Sequence, residues 1–173
     1  DARTLDYFRH EFRCLAGLAH PHLARVHDFG VVEEPAPEGL EATFSPGRPF
    51  FTMEYVEGGD LFSATEGLDP RGVVQLVLQV CLGLEYIHSR GYIHCDVKPA
   101  NLLVAGAPPR SVRIVDLGLA QFESESIRQL PRGTVHFMAP EQFRGGPIDR
   151  RADLYSLGVV LYQLLSRRLP FPG

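Results

Sequence analysis

The sequence predicts an α+β fold for this 173-residue chain, and three observations carry that expectation. Residues 4–56 hold one helical pattern and two strand-like segments. Two long apolar helical patterns dominate the rest. Between them lies a β-branched run, Val112, Ile114 and Val115, of the kind that fills a short buried strand.

Leu5, Phe8, Phe12, Leu15 and Leu18 recur at intervals of three and four, so residues 4–19 are expected to form an amphipathic helix ended by His20-Pro21-His22. Leu23 to Val32 reads as a strand. Glu33 to Pro49 carries four prolines and two glycines and reads as a solvated loop longer than a tight hairpin. A second strand is expected from Pro49 to Val56. Asp69-Pro70 starts a helix: the aspartate caps it, and the proline takes the first position, where a missing N–H costs nothing. This helix should run to about Arg90, with Gly91 closing it. Its apolar residues Val73, Val74, Leu76, Val77, Leu78, Val80, Leu84 and Ile87 predict burial on most sides. A second apolar helix opens at Asp153.

Composition narrows the function classes. The net charge is −4 and the pI near 6.0, with no cluster of basic residues, so nucleic-acid binding has no electrostatic footprint. The apolar stretches Val73 to Leu84 and Val159 to Leu165 are interrupted by Gln or Gly and are too short to span a bilayer. Asp1-Ala2-Arg3-Thr4 does not read as a signal peptide. Three cysteines, Cys14, Cys81 and Cys95, lack metal-ligand spacing, which points to a reduced, cytoplasmic compartment. Cys14 and Cys81 fall in helical patterns and read as small core residues.

Lys98 is the only lysine among 17 basic residues, and it sits in the run His94-Cys95-Asp96-Val97-Lys98-Pro99-Ala100-Asn101. Phosphoryl transfer asks for this set: an aspartate to accept a hydroxyl proton, a lysine to neutralise a phosphate oxygen, and an asparagine to hold magnesium. The run resembles the catalytic loop of a eukaryotic-type protein kinase, with Cys95 where arginine usually stands. The resemblance continues in order. Asp116-Leu117-Gly118, twenty residues after Asp96, is similar to the metal-binding Asp-Phe-Gly of that family. Gly133-Thr134 and Met138-Ala139-Pro140-Glu141 resemble the end of an activation segment. Asp153-Leu154-Tyr155-Ser156-Leu157-Gly158 resembles the start of the family's central helix.

The resemblance implies a partial two-lobe fold. Residues 1–56 would form part of a small lobe with a small antiparallel sheet, and residues 57–173 a mainly helical large lobe up to its central helix. It implies a protein serine/threonine kinase that uses ATP and Mg²⁺ and acts on serine or threonine hydroxyls of a protein substrate. The catalytic set would be Asp96 as base, Lys98 at the γ-phosphate and Thr134 supporting both. Asn101 and Asp116 would hold the metal. Glu11 would pair with an ATP-binding lysine. Met53 would stand behind the adenine, with the Glu54 carbonyl and Val56 N–H bonding its edge and Leu103 packing beneath. Gly58-Gly59 would let the chain turn close to the nucleotide, and Asp60 would meet the ribose hydroxyls or a basic substrate side chain. His94 is expected as a buried, satisfied packing residue, and Leu117 as an apolar plug. Cys95 cannot bind a phosphorylated loop as arginine does, so activity independent of loop phosphorylation is expected, with Ser124 and Ser126 as the phosphorylation candidates in that segment.

Two other readings remain open on the sequence: a pseudokinase-type nucleotide-binding or scaffolding module, and a small-molecule kinase of similar fold. Asp96 and Asp116 argue against the first, and Ala139-Pro140-Glu141 against the second. The stretch contains neither a glycine-rich loop before Glu11 nor a lysine before Lys98. It therefore reads as a kinase core lacking both ends, expected on its own to be poorly folded and inactive, with open sheet edges and an exposed apolar face on its central helix.

Overall fold

The structure, a computed structural model, describes residues 12, 16–33, 45–106, 110–116, 121–122, 135–144 and 147–171. The chain divides into two compact units, Asp1–Ala19 with Ala24–Tyr55, and His20–Leu23 with Val56–Gly173.

In the first unit, β1 (Val26–Val31) pairs antiparallel with β2 (Pro49–Met53), Phe29 opposite Phe51 and Gly30 opposite Phe50. The register shifts between Val26 and Phe29. The connecting loop closes through Gly47, whose φ of 81° suits glycine, and Gly47 N–H donates to the Val32 carbonyl. Past Met53 the pairing survives only as a bond from Glu54 N–H to the Arg25 carbonyl at 2.7 Å. The strand expected to reach Val56 is thus shorter. Of the helical pattern at 4–19, Phe12 and Ala16 have helical geometry, and the Phe12 ring lies 5.6 Å from that of Phe29. Residues 1–11 and 13–15, and most of the proline-rich loop, lie outside the described residues.

The second unit is built on a long helix, α2 (Pro70–His88), which follows the short α1 (Leu61–Ala64). Asp69 caps α2 as its sequence predicts, its carboxylate accepting from Gly72 N–H at 2.7 Å. The helix ends at His88, and Gly91 adopts a φ of 78° beyond it. A three-stranded antiparallel sheet, ordered β3 (Gly58–Asp60), β5 (Leu102–Ala105), β6 (Ser111–Ile114), packs on this helix through β6. Two-residue β4 (Tyr92–Ile93) pairs with β7 (Gln121–Phe122). The unit is completed by α3 (Pro140–Arg144) and α4 (Arg151–Ser166), the latter packing on α2.

Two of the three Gln or Gly interruptions of the apolar run in α2 have local causes. Gln79 lends its amide to β6: Oε1 accepts from Val112 N–H at 2.9 Å and Nε2 donates to the Arg110 carbonyl at 3.2 Å. At Gly83, a side chain would run into Ile114 Cδ1 at 2.7 Å and the His22 carbonyl at 3.2 Å, so helix and sheet meet there without one. The segment His20–Leu23 belongs to this unit because Ile114 N–H donates to the His22 carbonyl and Leu23 bridges Ile114 in parallel.

Two expectations are corrected. Gly58-Gly59 is a strand, not a turn; a Cβ on Gly58 would sit 1.9 Å from the Val104 carbonyl oxygen, so glycine serves close strand approach. Nor is α2 buried on most sides. Val73, Leu76, Val77, Val80, Leu84 and Ile87 face the core, but Val74, Leu78 and Leu82, at four-residue steps, are 42, 56 and 49% exposed. The expected exposed apolar residues on α4 are present as Leu154, Tyr162 and Leu165.

Gly58→Ala is expected to destabilise the protein by about 2 kcal/mol or more through forced strand separation. Gly59→Ala, with no atom within 4 Å of its new Cβ, is expected to cost less than about 1 kcal/mol. Urea unfolding of the two variants side by side checks the contrast.

Candidate active site

The loop between β4 and the 3₁₀ turn Pro99–Asn101 is held from outside by one carboxylate. Asp153, in the first turn of α4 and fully buried, accepts from His94 N–H and Cys95 N–H, each at 2.9 Å. Its Oδ2 also meets His88 Nε2 at the end of α2, 2.7 Å away. A buried carboxylate persists only with such partners, and its place in the first turn suits the helix dipole. From the sequence, Asp153 is legible only as the opening of an apolar helix. An acidic residue inside a run destined for burial was the available signal.

With its backbone so held, the loop gathers three of the expected site residues. Asp96 Oδ2 accepts from Lys98 Nζ at 2.6 Å and from Asn101 Nδ2 at 3.0 Å. Asn101 Nδ2 also donates to the Asp96 carbonyl at 2.9 Å. Asp96 and Asn101 are buried, and Lys98 retains 22% side-chain exposure. With the Asn101 amide nitrogen committed to Asp96, its Oδ1 is the atom that can face a cation. Val115 N–H donates to the Asn101 carbonyl at 2.9 Å, which brings Asp116 one residue from a direct bond to Asn101. Asp116 is exposed and left-handed, at a φ of 58°. An asparagine and an aspartate oxygen suit a hard cation that takes its other ligands from phosphate and water.

Cys95, between His94 and Asp96, is also left-handed at a φ of 66°. Its thiol lies 3.7 Å from the Ile93 carbonyl. Burial first, then Asp153 and Asp96, push the thiol up to about 12, so no thiolate is populated near neutral pH. His94 corrects an expectation. It is fully buried, but only Nδ1 is engaged, accepting from Asp96 N–H at 3.3 Å, while Nε2 has no partner among the described residues. The ring serves as core packing, and its second nitrogen is left unsatisfied.

The remaining expected residues are divided between the two units. Met53 is exposed in the first unit, and there Glu54 uses Oε2 to accept from Arg25 N–H at 3.1 Å. In the second unit Val56 is buried, and Leu103 on β5 is half-buried between the buried Leu102 and Val104. Asp60 caps α1: Oδ1 accepts from Phe62 N–H and Ser63 N–H, and Oδ2 from the Ser63 hydroxyl. Glu11, Thr134 and Leu117, like Ser124 and Ser126, lie outside the described residues.

The protein kinase domain family matches residues 1–173. The chain is 36% identical, over 174 residues, to the serine/threonine-protein kinase PknB of Mycobacterium tuberculosis, covering 96% of this chain and 26% of that protein. It is 37% identical over 183 residues to the serine/threonine-protein kinase pkn3 of Myxococcus xanthus, covering 99% of this chain and 31% of that one. It is likewise 34% identical over 177 residues to a probable PknB of Bifidobacterium longum, covering 98% and 25%. The chain thus spans about a quarter of the length of the curated PknB relatives it matches.

Asp153→Ala is expected to lower stability by about 3–5 kcal/mol, because it strands two buried N–H groups and the His88 ring together. Asp149→Ala, which removes an exposed pair with Arg151, is expected to cost less than about 1 kcal/mol. Denaturant unfolding of the two variants measures the difference.

Proposed function

Because this chain belongs to the protein kinase domain family, we propose that the protein transfers the γ-phosphoryl group of ATP to serine and threonine hydroxyls of other proteins. The observation that carries this reading is the single carboxylate oxygen of Asp96 shared between Lys98 Nζ and Asn101 Nδ2. A bare turn-capping aspartate would not need both. The serine/threonine preference is supported by the Asp-x-Lys pattern of the loop and by the names of the relatives.

Asp96 is the base. The substrate hydroxyl oxygen bonds to the γ-phosphorus, the bond from that phosphorus to the β–γ bridging oxygen breaks, and the hydroxyl proton passes to Asp96. Lys98 holds the carboxylate oriented before the nucleotide arrives and offers its ammonium to the γ-phosphate as charge shifts there. Thr134 supports both residues. Asn101 and Asp116 would hold Mg²⁺, which would supply positive charge to neutralise phosphate oxygens. Glu11, by the resemblance, would pair with an ATP-binding lysine that this stretch does not contain. By the family resemblance, Met53 and the Glu54 carbonyl in the first unit, and Val56 N–H and Leu103 in the second, are the adenine-binding candidates. Asp60 faces the ribose with whatever accepting capacity its helix cap leaves.

Cys95 sets the regulation apart from that of kinases with arginine at this position. A buried neutral thiol offers no charge to a phosphorylated loop, so turnover proceeds without loop phosphorylation. The reduced thiols of Cys81 and Cys95 suit a cytoplasmic site of action. Among the described residues no helix is long and apolar enough to cross a membrane.

In full-length protein, Asp96→Asn is expected to reduce γ-phosphate transfer from radiolabelled ATP to a protein substrate by roughly 10²–10⁴-fold. Nucleotide affinity should be nearly unchanged. Undiminished transfer by the variant would remove Asp96 from the mechanism.

A further inference from the structure

Gln142 is buried on α3, and its amide does two jobs. Oε1 accepts from Ala139 N–H at 2.8 Å, the half of a capping box that the fourth residue supplies, while the Gln142 backbone N–H donates to the Ala139 carbonyl at 3.0 Å. Nε2 donates to the Cys95 carbonyl at 3.0 Å. The cap needs only an acceptor, which glutamate supplies equally well. The second bond needs a donor as well, and a carboxamide supplies both.

The accepting carbonyl belongs to the left-handed residue immediately before Asp96. The N–H of that same residue is held by Asp153 at 2.9 Å. The peptide groups on both sides of Cys95 are therefore fastened, one to α4 and one to α3. Rotation of the second peptide would pull Asp96 N–H off His94 Nδ1 and swing the Asp96 side chain away from Lys98 and Asn101. We propose that Gln142 is a positioning residue for Asp96, tying the catalytic loop to the Met138–Glu141 segment that resembles the family's protein-substrate platform. The inference rests on the kinase reading for its catalytic consequence, but its structural claim stands separately.

Two variants of the full-length protein test it. Gln142→Glu keeps the helix cap and loses the donor at neutral pH; on acidification its carboxyl gains a proton and can again donate to the Cys95 carbonyl. Gln142→Met loses both bonds at every pH. At neutral pH both should lower kcat about tenfold while KM for ATP stays within about twofold, the size of a lost positioning contact. Between pH 8 and 6 the deficit of Gln142→Glu relative to wild type should shrink and that of Gln142→Met should not. Asp96, Cys95, His94 and Lys98 on the loop, Asp153 and His88 on the long helices, and Glu141 on α3 surround the same region in all three proteins, so each variant is compared with wild type at the same pH. Equal kcat in all three, or a glutamate deficit independent of pH, overturns the proposal and leaves Gln142 a helix cap. Hydrogen exchange at the amides of residues 94–97, read without nucleotide, does not pass through turnover: faster exchange in both variants is expected, and unchanged exchange also overturns the proposal. Faster exchange in variants of a wild type that transfers no phosphate would sink the kinase reading and leave the tether standing.

Discussion

A single buried carboxylate, that of Asp153, sets the geometry on which the candidate site depends. It joins the end of α2, the start of α4 and the loop between β4 and β5 through His88 and the N–H groups of residues 94 and 95. A left-handed backbone at Cys95 costs a non-glycine residue about 1–2 kcal/mol. It persists because the surrounding bonds over-determine it. That conformation directs the following side chain, Asp96, inward to Lys98 and Asn101. The cost of burying the Asp153 charge is offset by hydrogen bonds, and the return is orientation rather than stability.

What could be read from the chain and what could not follows the range of each interaction. The Asp69-Pro70 helix start is visible because cap and helix are adjacent. The Asp96, Lys98 and Asn101 cluster is visible because all three lie within six residues. Asp153 lies 58 residues from Cys95, and Gln142 lies 47; no spacing rule links such partners. Gly58-Gly59 misleads for a related reason. Glycine pairs suggest turns, but Gly58 is needed because a strand 46 residues further on brings the Val104 carbonyl against it. Asp60, a ribose candidate by its resemblance, also engages both its oxygens in a local helix cap that its neighbours' sequence does not announce. The exposed stripe on α2 escaped because the number of faces a helix buries depends on its neighbours rather than on its own apolar content.

The arrangement divides labour between long and short elements. Helices α2 and α4 bury the large aliphatic side chains and present His88 and Asp153 at their ends. The reactive side chains sit on a short loop whose His94 and Val97 are themselves fully buried, and hydrogen bonds to the helices add to that packing. Lys98 remains partly exposed, so its ammonium is reachable from solvent while it holds Asp96. Cys95 occupies a buried, left-handed position in the loop as a small, neutral group beside the carboxylates of Asp153 and Asp96.

The central claim is that Asn101 and Asp116 hold a divalent ion where Asp96 and Lys98 meet the terminal phosphate. Mn²⁺ with a non-hydrolysable ATP analogue, added to isotopically labelled full-length protein, tests it by paramagnetic broadening. The account predicts loss of the Asn101 side-chain amide and Asp116 backbone signals at substoichiometric Mn²⁺, dependent on the nucleotide, while signals from the distant Asp69 cap persist. Sharp Asn101 and Asp116 signals at saturating nucleotide and Mn²⁺ would contradict it.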